Sequence, residues 1–434
     1  MADTSLKPMT ILYPVMPAAD EAERAALRPI GRNRDLYQSV IHGGLEIVKA
    51  ADEIGFWGVG TIEHHFWSEG YEVAPSPSVI QAYWAAITKK INVGVIGYVM
   101  ATHNPIRVAE ETAVINQLAK GRSFVGLARG YQSRWTNVIG QHFGMRATKS
   151  PSAAIYNAQT QLAGFSQATQ GAKDLADDAE NRRIFEDHVE ILLKAWTQES
   201  FDHNSKGWQI PYPYETGVDD WPLAKAGVTQ KFGAPGEVDE HGHTRRVSVA
   251  PAPFTRPHPP VFLSGSGSPD TIAFAGKHGF VPTYFTNIDS AGPLAAHYRK
   301  SAAQYGHNFA PGQNQCMVRW IQFGKTKEDA LNRIKAYDMD IWKNFYSAMG
   351  RRNVENDDYL GSLINSGLFL YGTVDDIRNE LIKQWNVFPA EYITLINHYA
   401  QTPADVVIEQ LDLFQNQVKP ALDEIIHKSI RSVA

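Results

Sequence analysis

Residues 91–131, INVGVIGYVMATHNPIRVAEETAVINQLAKGRSFVGLARGY, decide the fold. Ile91–Met100 is apolar and rich in β-branched residues, which fits a buried strand. Asn104 then stands where a helix cap belongs, with Pro105 at the first helical position. The helix pattern runs to Lys120 and Gly121 stops it. Ser123–Ala128 reads as the next strand. A strand, a helix and a strand in so short a span predict a parallel pair joined by a right-handed crossover.

The same beat extends in both directions. Met9–Val15 and Trp57–Glu63 read as strands. Between them a helix runs from Leu36 to Ile54, with Leu36, Val40, Ile41, Leu45, Val48 and Ile54 on one stripe. Pro77 opens a helix over Ser78–Thr88. Towards the C-terminus the strands are Val261–Ser264, Phe280–Phe285, Cys316–Phe323 and Tyr392–Asn397. Helices fall at Pro269–His278, Ala291–Tyr305, Val374–Trp385 and Ala404–Leu422. Eight such units, with no Gly-x-Gly-x-x-Gly turn after the first strand, favour a (β/α)8 TIM barrel over an open dinucleotide-binding sheet. The reading is one domain over 1–434. It carries an insertion at about 142–180 after strand four and one at about 203–250 before strand five, with an extra helical segment at about 327–370. A clear helix, Asn181–Trp196, separates the insertions.

The 434 residues are 43% hydrophobic and carry a net charge of −5. Charges of both signs are interspersed, so nothing favours nucleic acid or an anionic membrane. Cys316 is the single cysteine; it cannot form an internal disulfide, which points to a reducing compartment. No basic-then-apolar leader and no run long enough to span a bilayer are seen, so a cytoplasmic protein is expected.

Barrel chemistry sits at the C-terminal ends of the strands. Strand two ends in Glu63-His64-His65-Phe66 and strand four in Ala128-Arg129-Gly130-Tyr131. Strand five leads into Ser264-Gly265-Ser266-Gly267-Ser268-Pro269. That last turn has two readings: a cradle for a phosphate at a helix N-terminus, with Arg129 supplying charge, or a capped helix with Arg129 in an ion pair. A histidine at the mouth suits proton transfer, or packs through a hydrogen bond. No metal site is expected. His64 and His65 should diverge, His241 and His243 lie in a charged loop, and Asp338 and Asp340 do not share a helix face.

Taken together, these residues resemble the luciferase-like flavin-dependent monooxygenases. The resemblance covers nearly the whole chain: Glu63-His64-His65-Phe66, Asn92-Val93-Gly94, Asn104-Pro105 through Glu111, Lys120 through Phe124, Arg129-Gly130-Tyr131, Arg256 through Val261, and Tyr371 through Val374. It implies reduced FMN, or on some members the deazaflavin F420, in the barrel mouth. His64 matches the active-site histidine and Arg129 a phosphate-binding arginine. Ser266, Gly267 and Ser268 match the phosphate turn, though another polar residue often stands where this chain has Ser266. Ile96 and Gly97 match a non-prolyl cis peptide beneath the flavin ring.

The implied activity uses reduced FMN from a separate flavin reductase, with O2 reacting at C4a. A small organic substrate is then hydroxylated or receives oxygen beside a carbonyl. F420-dependent hydride transfer is the alternative, and a non-catalytic flavin-binding relative a third. Tyr13, Trp67, Tyr98, Tyr131 and Tyr284 are candidates to line the pocket. His65 is expected to bond a carboxylate, with Glu110 a candidate. A homodimer through the helices at 78–88 and 105–120 is also implied, with Tyr83, Trp84, Val114 and Leu118 outside the core stripe.

Overall fold

A computed structural model describes residues 5–147, 172–265, 268–349 and 354–431. Among these, eight parallel strands close into a barrel in chain order. They are β1 (Lys7–Leu12), β2 (Gly58–Thr61), β3 (Asn92–Val99), β4 (Ser123–Ala128), β7 (Val261–Leu263), β8 (Val281–Tyr284), β9 (Cys316–Phe323) and β11 (Tyr392–Asn397). The ring closes where Lys7 registers with Tyr392 and Leu12 with Asn397. The barrel expected from the sequence is the barrel found.

The helix after β3 begins where the sequence says it should, and the long helix after β1 two residues before the expected Leu36. Asn104 Oδ1 accepts from the Ile106 and Arg107 N–H groups, and the helix runs Pro105–Leu118. Asn33 caps the helix Arg34–Ile54 in the same way, and Gly55 ends it at φ 91°, a left-handed conformation that suits glycine.

Strand alternation divides the apolar residues into two cores. Val93, Val95, Val125, Leu127, Val261 and Leu263 pack outward against the helices. Met9, Ile11, Ile96, Phe124, Phe262, Val318 and Ile396 point into the barrel. At its N-terminal end Trp57, Phe124, Phe262 and Tyr392 meet ring to ring, with centroids 5.1 to 6.0 Å apart. Phe124 fits only because its neighbours lack side chains. A Cβ on Gly94 would lie 2.4 Å from its ring, and one on Gly60 3.1 Å.

Three expectations need correction. A strand, β10 (Phe369–Gly372), begins at the end of the segment read as helical and pairs with the second half of β9 outside the ring of eight. The helix expected over Asn181–Trp196 is longer, Ala172–Thr197. The insertion at 203–250, whose many Gly, Pro, Tyr, Trp and Asp residues read as a long loop, instead holds a hairpin, β5 (His203–Asn204) with β6 (Gln209–Ile210), and short helices at Pro222–Lys225 and Val228–Phe232. Residues 148–171 of the first insertion lie outside the described residues.

Candidate active site

Strand β2 stops at Thr61, so Glu63, His64 and His65 sit on the turn above it. Glu63 is buried and clamps three elements together. It accepts from the Val99 N–H at 2.7 Å, lies 2.6 Å from His103 Nε2, and 3.0 Å from His65 Nε2. Burial alone would raise its pKa. The His103 charge and these hydrogen bonds overcome that and pull it down to about 2. The same contact raises His103, against the opposing effect of its burial. The carboxylate partner of His65 is therefore Glu63, two residues back. Glu110 instead pairs with Arg107 on its own helix.

His64 takes a different partner, as expected of neighbours that diverge. Its Nδ1 lies 2.6 Å from Oε2 of the buried Glu72. Its Nε2 lies 3.2 Å from Gln132 Nε2. Gln132 has a fixed orientation, because its Oε1 accepts from two indoles, Trp67 at 3.1 Å and Trp135 at 2.6 Å. Indole nitrogens only donate, so Gln132 Nε2 must be the amide donor. Neutral His64 then carries its proton on Nδ1, facing Glu72, and its Nε2 lone pair accepts from the Gln132 amide. That is the arrangement of a base whose orientation is set by a carboxylate behind it.

Arg129 stands at the end of β4, and its Nη1 donates to Asp178 Oδ1 at 3.0 Å. Burial lowers its pKa and Asp178 works against that. Arg182, on the helix Ala172–Thr197, lies 4.0 Å from Asp178 and 3.3 Å from Asp270 at the first turn of the helix Pro269–His278. Two guanidinium groups thus meet at that helix N-terminus. Ser268 occupies the N-cap position, buried, without a capping bond from its side chain. Ser266 and Gly267 lie outside the described residues. Gly130, at φ 83°, turns the chain after Arg129, so residues 129–132 contribute to both groupings.

The Ile96–Gly97 peptide is cis. Gly97 is there because β4 approaches so closely: a Cβ would lie 2.5 Å from the Gly126 carbonyl carbon. Of the aromatic candidates, Tyr13 packs inside the barrel, while Trp67 and Tyr131 contact Gln132. Tyr98 and Tyr284 do not reach the mouth. Both face outward, Tyr98 bonded to Ser78 and Gln81 and Tyr284 to Gln315. Glu72, Gln132 and Arg182 were not foreseen; Gln132 reaches His64 and Trp67 from 68 and 65 residues away, and Glu72 reaches Tyr346 from 274. Among the described residues, no group of three or more His, Cys, Asp or Glu is arranged to hold a metal ion, and no helix is long and apolar enough to cross a membrane.

The comparisons with known proteins agree with this architecture. The alkanal monooxygenase alpha chain of Photorhabdus luminescens is 35% identical over 267 residues, 61% of this chain and 54% of that one, so the match spans just over half of that relative. The 3,6-diketocamphane 1,6-monooxygenase of Pseudomonas putida is 21% identical over 401 residues, 87% of this chain and 92% of that one. The solved oxygenating constituent of a Pseudomonas putida 3,6-diketocamphane monooxygenase, a type II Baeyer–Villiger enzyme in complex with FMN, superposes with a TM-score of 0.67. Its identity is 17%, over 96% of this chain and 98% of that one. An F420-dependent secondary alcohol dehydrogenase, solved with an F420-acetone adduct, gives 0.58 at 12% identity, over 96% and 99%. These superpositions show a shared fold. A sequence profile described as luciferase-like monooxygenase matches residues 26–371, most of the chain. The chain belongs to the luciferase-like monooxygenase family.

Proposed function

We propose that the protein is a flavin-dependent monooxygenase that oxygenates a small organic substrate with O2 and reduced FMN. The observation that carries the reading is the set of residues at the strand ends of a luciferase-like barrel. His64 has an Nε2 lone pair that accepts from Gln132, the Ile96–Gly97 peptide is cis, and Arg129 and Arg182, paired with Asp178 and Asp270, stand beside a helix N-terminus. The donor set fits a flavin mononucleotide. Two guanidinium groups and a helix dipole suit one terminal phosphate.

In this reading Arg129, helped by Arg182 and the turn containing Ser266, Gly267 and Ser268, binds the phosphate. Ile96 and Gly97 form the shelf beneath the ring. The reducing equivalents that activate O2 come from bound reduced FMN, which a separate flavin reductase supplies. His64 takes or returns a proton at Nε2 while Glu72 holds the imidazole in place. The apolar barrel interior and Trp67, Tyr13 and Tyr131 exclude water. The lone Cys316 fits a reducing cytoplasm.

We also propose a homodimer through the helices Pro77–Ile87 and Pro105–Leu118. Val79, Tyr83, Val114 and Leu118 are exposed there, whereas Trp84 is buried in the core.

The decisive experiment is anaerobic titration with reduced FMN and with reduced F420, followed by admission of air. Preferential binding of reduced FMN and oxygen uptake support the reading. Clear preference for F420 with no oxygen uptake moves the chain to hydride transfer on the same fold.

A further inference from the structure

A line of polar contacts leaves His64 and crosses the barrel mouth, starting with a 2.6 Å ion-pair contact to Glu72 that lacks hydrogen-bonding geometry and running through hydrogen bonds from Glu72 onward. Glu72 places Oε2 against His64 Nδ1, and its Oε1 accepts from the Tyr346 hydroxyl at 2.8 Å. The same hydroxyl lies 3.0 Å from His398 Nε2. His398 Nδ1 lies 2.7 Å from Asp338 Oδ1, and Gln322 donates to the other oxygen of Asp338 at 2.8 Å. Glu72, His398 and Asp338 are each at most 2% exposed. The line joins distant elements: the turn after β2, the π-helical turn Trp342–Ser347, and the residue that follows β11.

The donors fix where the protons are. The Trp320 indole, which only donates, points at His398 Nε2 from 3.3 Å. His398 Nε2 therefore carries the lone pair, and Nδ1 gives its proton to Asp338. Burial, and then the neighbouring Glu72, raise the Tyr346 pKa well above its ordinary value, so the hydroxyl keeps its proton. That one proton has two acceptors, Glu72 Oε1 and His398 Nε2, and serves one at a time.

We propose that Tyr346 is a positioning residue that couples the His64–Glu72 pair to the His398–Asp338 pair, letting His64 take up a proton without leaving a charged imidazole at the mouth. A proton arriving at His64 Nε2 displaces the Gln132 amide from it; the ring then turns its Nδ1–H onto Glu72 Oε2, 2.6 Å away, and that proton passes to the carboxylate. Glu72 becomes neutral and a poorer acceptor. Tyr346 turns its hydroxyl towards His398 Nε2, sharing that lone pair with the Trp320 indole, and no proton passes to His398. One proton enters, one passes from nitrogen to oxygen, and no other covalent bond breaks. Tyr13 and Tyr131 also face Tyr346; tyrosines ordinarily titrate near 10, outside the neutral range. Gln132 and Trp135 face His64 and do not titrate.

This rests on the reading of His64 as the base, but its test does not need turnover. The His64 imidazole nitrogens are followed by NMR against pH in the cofactor-free protein. Tyr346→Phe removes the donor that stabilises anionic Glu72, so the pair should hold its proton to higher pH, by about one unit. In a Glu72→Gln background the same substitution should move the titration by less than about 0.3 unit, since the link it acts through is gone. No shift, or an equal shift in both backgrounds, overturns the coupling. In the unsubstituted protein the Tyr346 ring carbon that bears the hydroxyl should titrate in step with His64. A flat Tyr346 resonance overturns it even if the Phe variant does not fold. If instead the coupling holds while His64→Ala leaves product formation intact, the functional reading fails and the relay stands.

Discussion

Glu63 is the clamp between the ends of β2 and β3, and its contribution follows from its charge. Held at about 2 rather than 4.5, and at about 1.4 kcal/mol per pKa unit, it stabilises the fold by on the order of 3 kcal/mol. A depressed folded-state pKa gives stability that is complete above about pH 4.5 and drains as pH falls towards 2. His103, raised above 6.5, acts from the other side. Its contribution is complete below about pH 6.5 and fades as pH rises through the raised value. Both describe one contact, so the figure counts once. Glu63→Gln keeps the shape, loses the charge, and turns an amide NH2 towards groups that donate. Urea unfolding followed by tryptophan fluorescence should show the variant weaker by about 3 kcal/mol between about pH 5 and 6.5, with the gap narrowing on both flanks. A gap below about 1 kcal/mol, or one flat from about pH 4 to 9, would refute the clamp.

Arg129→Ala should weaken reduced FMN by about 2–4 kcal/mol in calorimetry, through lost charge-assisted hydrogen bonds; an unchanged dissociation constant with an intact fold makes Arg129 purely structural. His64→Ala should bind FMN within a small factor of the parent yet lose about 10²-fold or more in product formation, releasing hydrogen peroxide instead. Wild-type rate with full coupling of oxygen to product would remove His64 from the chemistry. Leu118→Asp, on the exposed apolar helix face, should convert a dimer to a monomer in light scattering at micromolar concentration; a parent that is already monomeric contradicts the proposed interface.

The sequence carried the barrel because each crossover announces itself locally. Asn104-Pro105, Asn33 and Gly55 punctuate helices within a few residues of the atoms they serve. Strand parity was equally available: Val281 points inward, so Tyr284 on the same strand must point out. Tyr98 was harder. The register of β3 on β4 shifts between Val95 and Tyr98, and that irregularity resets the alternation that would have turned Tyr98 inward. The surroundings of His64 were less legible still. Glu72 and Tyr346 are 274 residues apart, Tyr346 and His398 52, and His398 and Asp338 60. Periodicity reports which face of an element is apolar, not which distant side chain completes a hydrogen bond. Strand β10 was missed for a related reason: it is four residues long and follows a broken helical stretch.

The aromatic packing of Trp57, Phe124, Phe262 and Tyr392 has a kinetic consequence. It stoppers the barrel at the end opposite His64, so molecules approach the histidine from the mouth side. A bulky molecule that arrives first bars those behind it until it departs. Compounds too large to pass one another should therefore obey a compulsory order, last in and first out, and an excess of the later arrival should slow the escape of the earlier one.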